Sequence, residues 1–391
     1  MDIYPFSLPI PVLFGRGLVR RVGQEARNLG CRRPLILYDK GIEAAGIAAR
    51  VIQSVEAAGL EYVTNNTVES DPSDRSIDRI SDFAKRHGID GIVAVGGGST
   101  IDSAKCVKFL LSHEGKLKEY LGFYPGEDTG VPLLSVPTTA GTGSEVTIGA
   151  IVTDTASNTK VSVANLFVKS ALAVLDPELT VGCPPRITAS CAFDALAHII
   201  EGCTSNHTGP LIQNVLHNGL EFFQKSFPEV CYHGSNLEAR SNMHMASLIG
   251  GIAILNGYVQ AGHSFAHAVG ALYHVPHGTA CAMFTGPCLE FVADIWPDEV
   301  RQIAECLEIV SDETDSASEV ARRISSRLQA MARGAGLREI TDFCPEEERA
   351  VDEIIPIVLR DSLRVYCPRE LDEAGSRWIL KRAFELARTP G

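Results

Sequence analysis

Apolar residues follow two different rhythms along this 391-residue chain. In the first half, LILYD (35–39), GIVAV (91–95), VPLLSVP (131–137) and ALAVLD (171–176) are apolar at nearly every position. Such short, unalternating runs predict strands buried on both faces of a sheet. EYVTNN (61–66) reads as a further strand. Between these runs the period lengthens. GIAARVIQSVEAAG (46–59) sets Val51, Ile52, Val55 and Ala58 on one helical face. SIDRISDFAKRHG (76–88) repeats the pattern through Ile77, Ile80, Phe83 and Ala84, and its basic last turn and final glycine are helix-ending signals. IDSAKCVKFLL (101–111) is amphipathic again, and AIVTD (150–154) with KVSVAN (160–165) predicts a hairpin around T-A-S-N.

This β-α-β alternation predicts a mostly parallel sheet with helices on both faces. After Pro184 and Pro185 the strand-like runs nearly vanish, and helical patterns continue to the end, including 319–336 and 375–388. The expected fold class is α/β plus all-α, with an α/β domain over 1–180 and a helical domain over 181–391. Two cores are also what this length favours. A cleft between two such domains is a natural place for a ligand.

Composition narrows the partners. The chain is 45% hydrophobic and 21% charged, with a formal net charge of −13. That balance argues against a nucleic-acid or anionic-membrane surface, leaving a small molecule as the expected partner. The N-terminal residues lack a basic region followed by an apolar one, so no signal peptide is expected, and no apolar run reaches membrane-spanning length. Eleven scattered cysteines without a C-x-x-C pair read as reduced thiols in a cytoplasmic protein.

Two glycine-rich turns carry the first chemistry. Gly96, Gly97, Gly98 and Ser99 follow a buried strand and open a helix, with Asp102 one turn on. Glycines let the backbone approach a phosphate, and a helix start offers unpaired N–H groups. A bare βα turn would explain one glycine more readily than three. Thr138, Thr139, Thr142 and Ser144 form a second turn, with Gly141 and Gly143 between them. Together the turns suit a dinucleotide. Asp39 ends an earlier strand, where an acid can bind a ribose 2′-hydroxyl and repel a 2′-phosphate, favouring NAD over NADP.

The second half supplies metal-ligand types. Asp194 and His198 are four apart on a predicted helix, as are His263 and His267, and His277 follows. Three imidazoles and a carboxylate suit a catalytic divalent metal. Spacing alone leaves open which histidines bind. His217, His233 and His244 lack such partners and read as surface or capping residues.

From FGRG (14–17) through GGGSTIDSAK, PTTAGTGSEVT, DPELT (176–180), DALAHIIEG and GHSFAHAVGALYHVPHG to CPRE (367–370), the chain resembles the iron-containing (group III) alcohol dehydrogenases nearly end to end. The resemblance implies an N-terminal Rossmann-like dinucleotide-binding domain, a C-terminal helical metal-binding domain and a homodimer. It implies metal ligands at Asp194, His198, His263 and His277, with Fe²⁺ as the ion and Zn²⁺ as its alternative. NAD(H) would be held by Asp39, Gly96, Gly97, Gly98, Ser99, Asp102, Thr138, Thr139, Thr142, Ser144 and Lys160. His267 would stand beside the substrate and nicotinamide as a catalytic proton relay.

The chain departs from the family pattern at Asp71-Pro72-Ser73 and Cys367-Pro368-Arg369, where Asn-Pro-Thr and Asn-Pro-Arg are common, and at Gly149 and residues 258–262. An acid at 71 is unfavourable beside a pyrophosphate unless it turns away. The substrate pocket is expected to include Gly149, Ile254, Tyr258 and Gln260. A polar wall at Tyr258 and Gln260 would suit a short aldehyde with a polar or anionic tail, such as a hydroxyaldehyde, a semialdehyde, or sulfo- or phosphonoacetaldehyde. The expected activity is NAD-dependent alcohol oxidation and aldehyde reduction. A dehydroquinate-synthase-like lyase and a non-catalytic NAD-binding protein stand as alternatives.

Overall fold

Runs that are apolar on both faces need cover on both sides, and the first half of the chain provides it. A computed structural model describes residues 4–123, 130–157, 159–164 and 167–389. Among these residues the strands are β1 (Val12–Phe14), β2 (Pro34–Leu37), β3 (Val63–Asn65), β4 (Gly91–Gly96), β5 (Gly122–Phe123), β6 (Leu133–Pro137), β7 (Gly149–Asp154), β8 (Thr159–Ala164) and β9 (Leu172–Leu175). Six of them form a parallel sheet in the order β1-β9-β6-β4-β2-β3. β2, β4, β6 and β9 are buried along their whole length, as their composition requires. The predicted hairpin is β7 and β8, joined by β5 in a small mixed sheet; its Asn158 and Asn165 lie outside the described residues. β1 and β5, of three and two residues, escaped the sequence reading.

Two compact units divide the chain. The α/β unit takes residues 8–139 and 143–182. Its helices include α1 (Lys40–Ala44), α2 (Ile47–Ala57), α3 (Asp74–His87) and α4 (Gly98–Ser112). α3 starts where Ser73 and Ser76 cap each other reciprocally and ends at Gly88 in the left-handed region. The core lies on both sides of the sheet. Leu35, Ile92, Ile101 and Phe109 belong to one layer, and Ile36, Val51, Val93 and Val136 to the other.

The helical unit takes residues 4–7, 140–142 and 183–389 of those described. Its site-bearing helices are α5 (Pro185–Thr204), α6 (Leu237–Asn256), α7 (Ala261–Tyr273) and α8 (His277–Val292). Phe265 of α7 stacks on Phe284 of α8 at 4.8 Å within a fully buried cluster. α8 runs so close to α5 that a Cβ on Gly278 would lie 1.8 Å from the Ser190 carbonyl oxygen. His244, expected at the surface, is instead fully buried in α6, because that helix is apolar on nearly every side. Burial drives its pKa down to about 4 and keeps the ring neutral.

Candidate metal and cofactor sites

Register in the parallel sheet brings the candidate cofactor segments together. Gly96 pairs with Pro137 and Ala94 with Leu37, so the turns after β2, β4 and β6 open side by side at the carboxyl ends of their strands. The chain leaves β2 to β3 on one flank and returns to β4 on the other. That reversal is where open α/β sheets form a ligand crevice. Asp39 stands on one side of it, half-buried, capping α1 through the Ile42 N–H at 2.9 Å. On the other side Gly97 caps α4, whose first N–H groups lack intrahelical acceptors. Gly96 has no room for a side chain, since a Cβ there would meet Thr100 Oγ1 at 2.3 Å.

The second turn is laced to the first. Thr138 N–H donates to the Gly96 carbonyl at 3.0 Å, and Thr139 lies against Gly97. Asp102 accepts from the Ser144 hydroxyl and from the Ile151 N–H at 2.9 Å. Ser99 donates to the Ser70 carbonyl. Asp102 and Ser144 therefore brace the turns against each other. Lys105, which the sequence reading missed, is fully buried beneath them. Its ammonium donates to Ser144 Oγ at 3.0 Å, Thr147 Oγ1 at 2.9 Å and the Gly149 carbonyl at 2.6 Å. Burial lowers its pKa, while Asp102 and Glu145 oppose that shift. Lys160 is paired with Asp71 at 2.8 Å, so the acid at 71 is compensated within its own unit. Thr142 is grouped with the helical unit.

In the helical unit the five candidate residues come together. Asp194 and His198 project from one face of α5, His263 and His267 from α7, and His277 is the first residue of α8. Asp194 Oδ1 lies 3.5 Å from His198 Nε2, 3.9 Å from His263 Nε2 and 3.4 Å from His277 Nε2. These separations exceed the 2.7–3.2 Å of hydrogen bonds. They match donors spaced around a common ion, about 3.4 Å apart for bonds near 2.1 Å in tetrahedral geometry. Asp194, His263 and His277 therefore fit a divalent cation, and His198 lies beside the same Asp194 oxygen. Burial holds His198 well below its usual pKa, reinforced by the neighbouring His263 ring, so its lone pair is available.

Two carboxylates missed in the sequence orient the rings. Glu201, one turn beyond His198, accepts from His263 Nδ1 at 2.7 Å and from the Gln260 N–H at 2.6 Å. It thus caps α7 from a neighbouring helix and turns His263 Nε2 towards Asp194. Burial alone would raise the Glu201 pKa, but His263 and these N–H donors outweigh it and hold the group ionised. Asp361 accepts from His267 Nδ1 at 2.9 Å and from the Ser264 hydroxyl at 3.0 Å. Glu201 was discoverable from its i+3 spacing after His198; Asp361, 94 positions from His267, gave no local signal.

The pocket expectations need revision at one residue. Gln260 is 2% exposed, and its side-chain amide donates to the Glu201 carbonyl and to Thr204 Oγ1, both at 3.0 Å. It ties α5 to the start of α7 and does not form a polar pocket wall. Tyr258 is 37% exposed at φ 63° and stacks on Tyr366 at 4.5 Å. Ile254 is half-buried on α6. Gly149 is fixed by β7–β8 pairing and by the Lys105 contact to its carbonyl.

Comparison with known proteins identifies the family. The family described as iron-containing alcohol dehydrogenase matches residues 9–177, and its C-terminal counterpart matches residues 188–384. A choline dehydrogenase from Bacillus subtilis (strain 168) is 32% identical, over 98% of this chain and 96% of that protein. An NAD-dependent methanol dehydrogenase from Bacillus methanolicus is 32% identical over 70% of this chain and 72% of its own. The solved structure of an alcohol dehydrogenase from Oenococcus oeni superposes with a TM-score of 0.92 at 26% identity, covering 97% of this chain and all of that one. The chain belongs to the iron-containing alcohol dehydrogenase family. It is an alcohol dehydrogenase, with the Rossmann-like and helical domains of that fold.

Proposed function

We propose that the protein interconverts a short alcohol and its aldehyde with NAD(H), at a divalent ion held by Asp194, His198, His263 and His277. The observation that carries this reading is the convergence of one carboxylate oxygen and three imidazole Nε2 atoms at 3.4–3.9 Å. Fe²⁺ is the ion the family description points to, with Zn²⁺ as the alternative. A divalent ion supplies a Lewis acid for the substrate oxygen, and nicotinamide carries the hydride.

The chain's own residues do the positioning. Backbone N–H groups at Gly97, Gly98 and Ser99 bind the pyrophosphate, with Thr138, Thr139 and Thr142 lining the second turn. Asp39 accepts from a ribose hydroxyl and repels a 2′-phosphate, which selects NAD, and Lys160 stands by the ribose. Glu201 fixes the His263 tautomer. Asp361 holds the Nδ1 proton of His267 in the same way, leaving Nε2 free to take or return the alcohol proton.

The relatives' names run from methanol to choline, which supports a short alcohol. Gln260 no longer argues for an anionic tail, so Ile254 and Tyr258 remain the candidate pocket residues. The family resemblance supports a homodimer, and eleven free thiols support a reducing cytoplasm. Metal analysis of anaerobically purified protein, followed by NADH oxidation with a panel of neutral and charged short aldehydes, tests the reading. About one divalent ion per chain and chelator-sensitive turnover are expected. Undiminished turnover by metal-free protein would sink it.

A further inference from the structure

Cys281 lies one turn after His277 on α8 and is 1% exposed. Its Sγ is 3.7 Å from Asp194 Oδ1, 3.8 Å from His277 Nε2 and 4.0 Å from His263 Nε2. Bonds of about 2.3 Å to sulfur and about 2.1 Å to nitrogen put such donors roughly 3.1–3.8 Å apart at the 90–120° angles of an ion that has expanded to five ligands. The sulfur therefore meets nearly the same spacing as the imidazoles. The donor atoms of Asp194, His263, His277 and Cys281 all lie within 4.8 Å of one another.

A second grouping, Cys203, His217 and Glu299, provides a contrast. There His217 Nε2 is 2.6 Å from Glu299 Oε1, a direct hydrogen bond too short for two ligands of one ion. Cys281 instead faces three donors that are spread apart. Its side chain is packed within a fully buried cluster, which limits its freedom to turn away.

We propose that Cys281 is a further donor of the metal centre, binding as thiolate and biasing the site towards thiophilic ions such as Zn²⁺ and Co²⁺ over Mg²⁺ or Mn²⁺. The proposal rests on the reading of Asp194, His198, His263 and His277 as metal ligands. Coordination replaces the S–H bond by a sulfur–metal bond and releases one proton to solvent, with no change of oxidation state.

Cobalt substitution of the full-length protein under anaerobic conditions tests this. The wild type is expected to bind one Co²⁺, with visible d–d bands and a thiolate-to-cobalt charge-transfer band in the near ultraviolet. Cys281→Ser should keep the d–d bands and lose the charge-transfer band, while Cys203→Ser keeps both. Zn²⁺ affinity, read by competition with a chromophoric chelator, should fall about 10- to 100-fold in Cys281→Ser. Absence of bound Co²⁺ in the wild type overturns the ligand set and the Cys281 role with it. Bound Co²⁺ without a charge-transfer band, or with a band that survives in Cys281→Ser, overturns the Cys281 role alone. The wild-type spectrum decides even where a variant fails to fold.

Discussion

Adding one methyl group at Gly278 should cripple metal binding without touching a ligand. Gly278 follows His277 at the start of α8, and a Cβ there would stand 1.8 Å from the Ser190 oxygen and 2.5 Å from its carbonyl carbon. Contacts to real Cβ atoms essentially never fall below 3.0 Å, so α8 and α5 must separate by about 1.2 Å or tilt. Both neighbours are backbone within helices, where no rotamer change relieves the clash. Overpacking of this kind costs about 1–3 kcal/mol, here at the upper end. The separation acts directly on the site, because α5 carries Asp194 and His198 while α8 carries His277. Asp194 Oδ1 and His277 Nε2, now 3.4 Å apart, would move towards about 4.6 Å, beyond what bonds of about 2.1 Å can span in a tetrahedral ion. Gly278→Ala should thus lower the melting temperature of metal-free protein and weaken Zn²⁺ binding by at least about 100-fold. Thermal unfolding with and without metal, and chelator competition, read the two effects separately. A folded Gly278→Ala protein with wild-type metal affinity would refute the claim that this helix contact sets the ligand geometry.

Four further outcomes follow from the same contacts. Glu201→Gln should reduce metal affinity about 10- to 100-fold in chelator competition, because His263 loses its orienting carboxylate; unchanged affinity would exclude that role. His267→Ala should lower kcat about 100-fold at unchanged metal content, and Asp361→Asn should alter the pH profile of kcat; full activity in both would remove His267 from proton transfer. Asp39→Asn keeps the α1 cap but loses the charge, so kcat/KM with NADPH relative to NADH should rise about 10-fold; a constant ratio would dismiss Asp39 as the selector. His244 takes up a proton near its ordinary value of 6.5 when unfolded, but only at about 4 when folded. Its contribution is therefore complete above pH 6.5 and is lost as pH falls towards 4, by about 3 kcal/mol in all. The urea midpoint of the wild type should fall relative to that of His244→Leu on acidification, and parallel curves would contradict the buried neutral ring.

The long elements of both units were legible because their periods are strong. The amphipathic face through Ile77, Ile80 and Ala84 identified α3, and four unbroken residues sufficed for β2 and β9. His244 was misplaced because the absence of a sequence neighbour says nothing about burial in a helix apolar all round. Gln260 was misread for a related reason: its polarity was visible, but its partners Glu201 and Thr204 lie 59 and 56 positions away.

Sequence by itself determined the chemical types: a carboxylate and histidines at helical spacing, glycine turns at strand ends, and an acid at the end of a strand. Those follow from unbroken apolar runs and a period of 3.6 residues, which act over a single element. Tertiary structure alone decided which atoms meet. The register of β2, β4 and β6 aligned three turns that are far apart in sequence, and close packing of α5 on α8 at Gly278 set the spacing from Asp194 to His277. Glu201, Asp361 and Cys281 took their places through contacts between different elements. Such contacts depend on how helices and strands pack in three dimensions, and local periodicity carries no record of that packing.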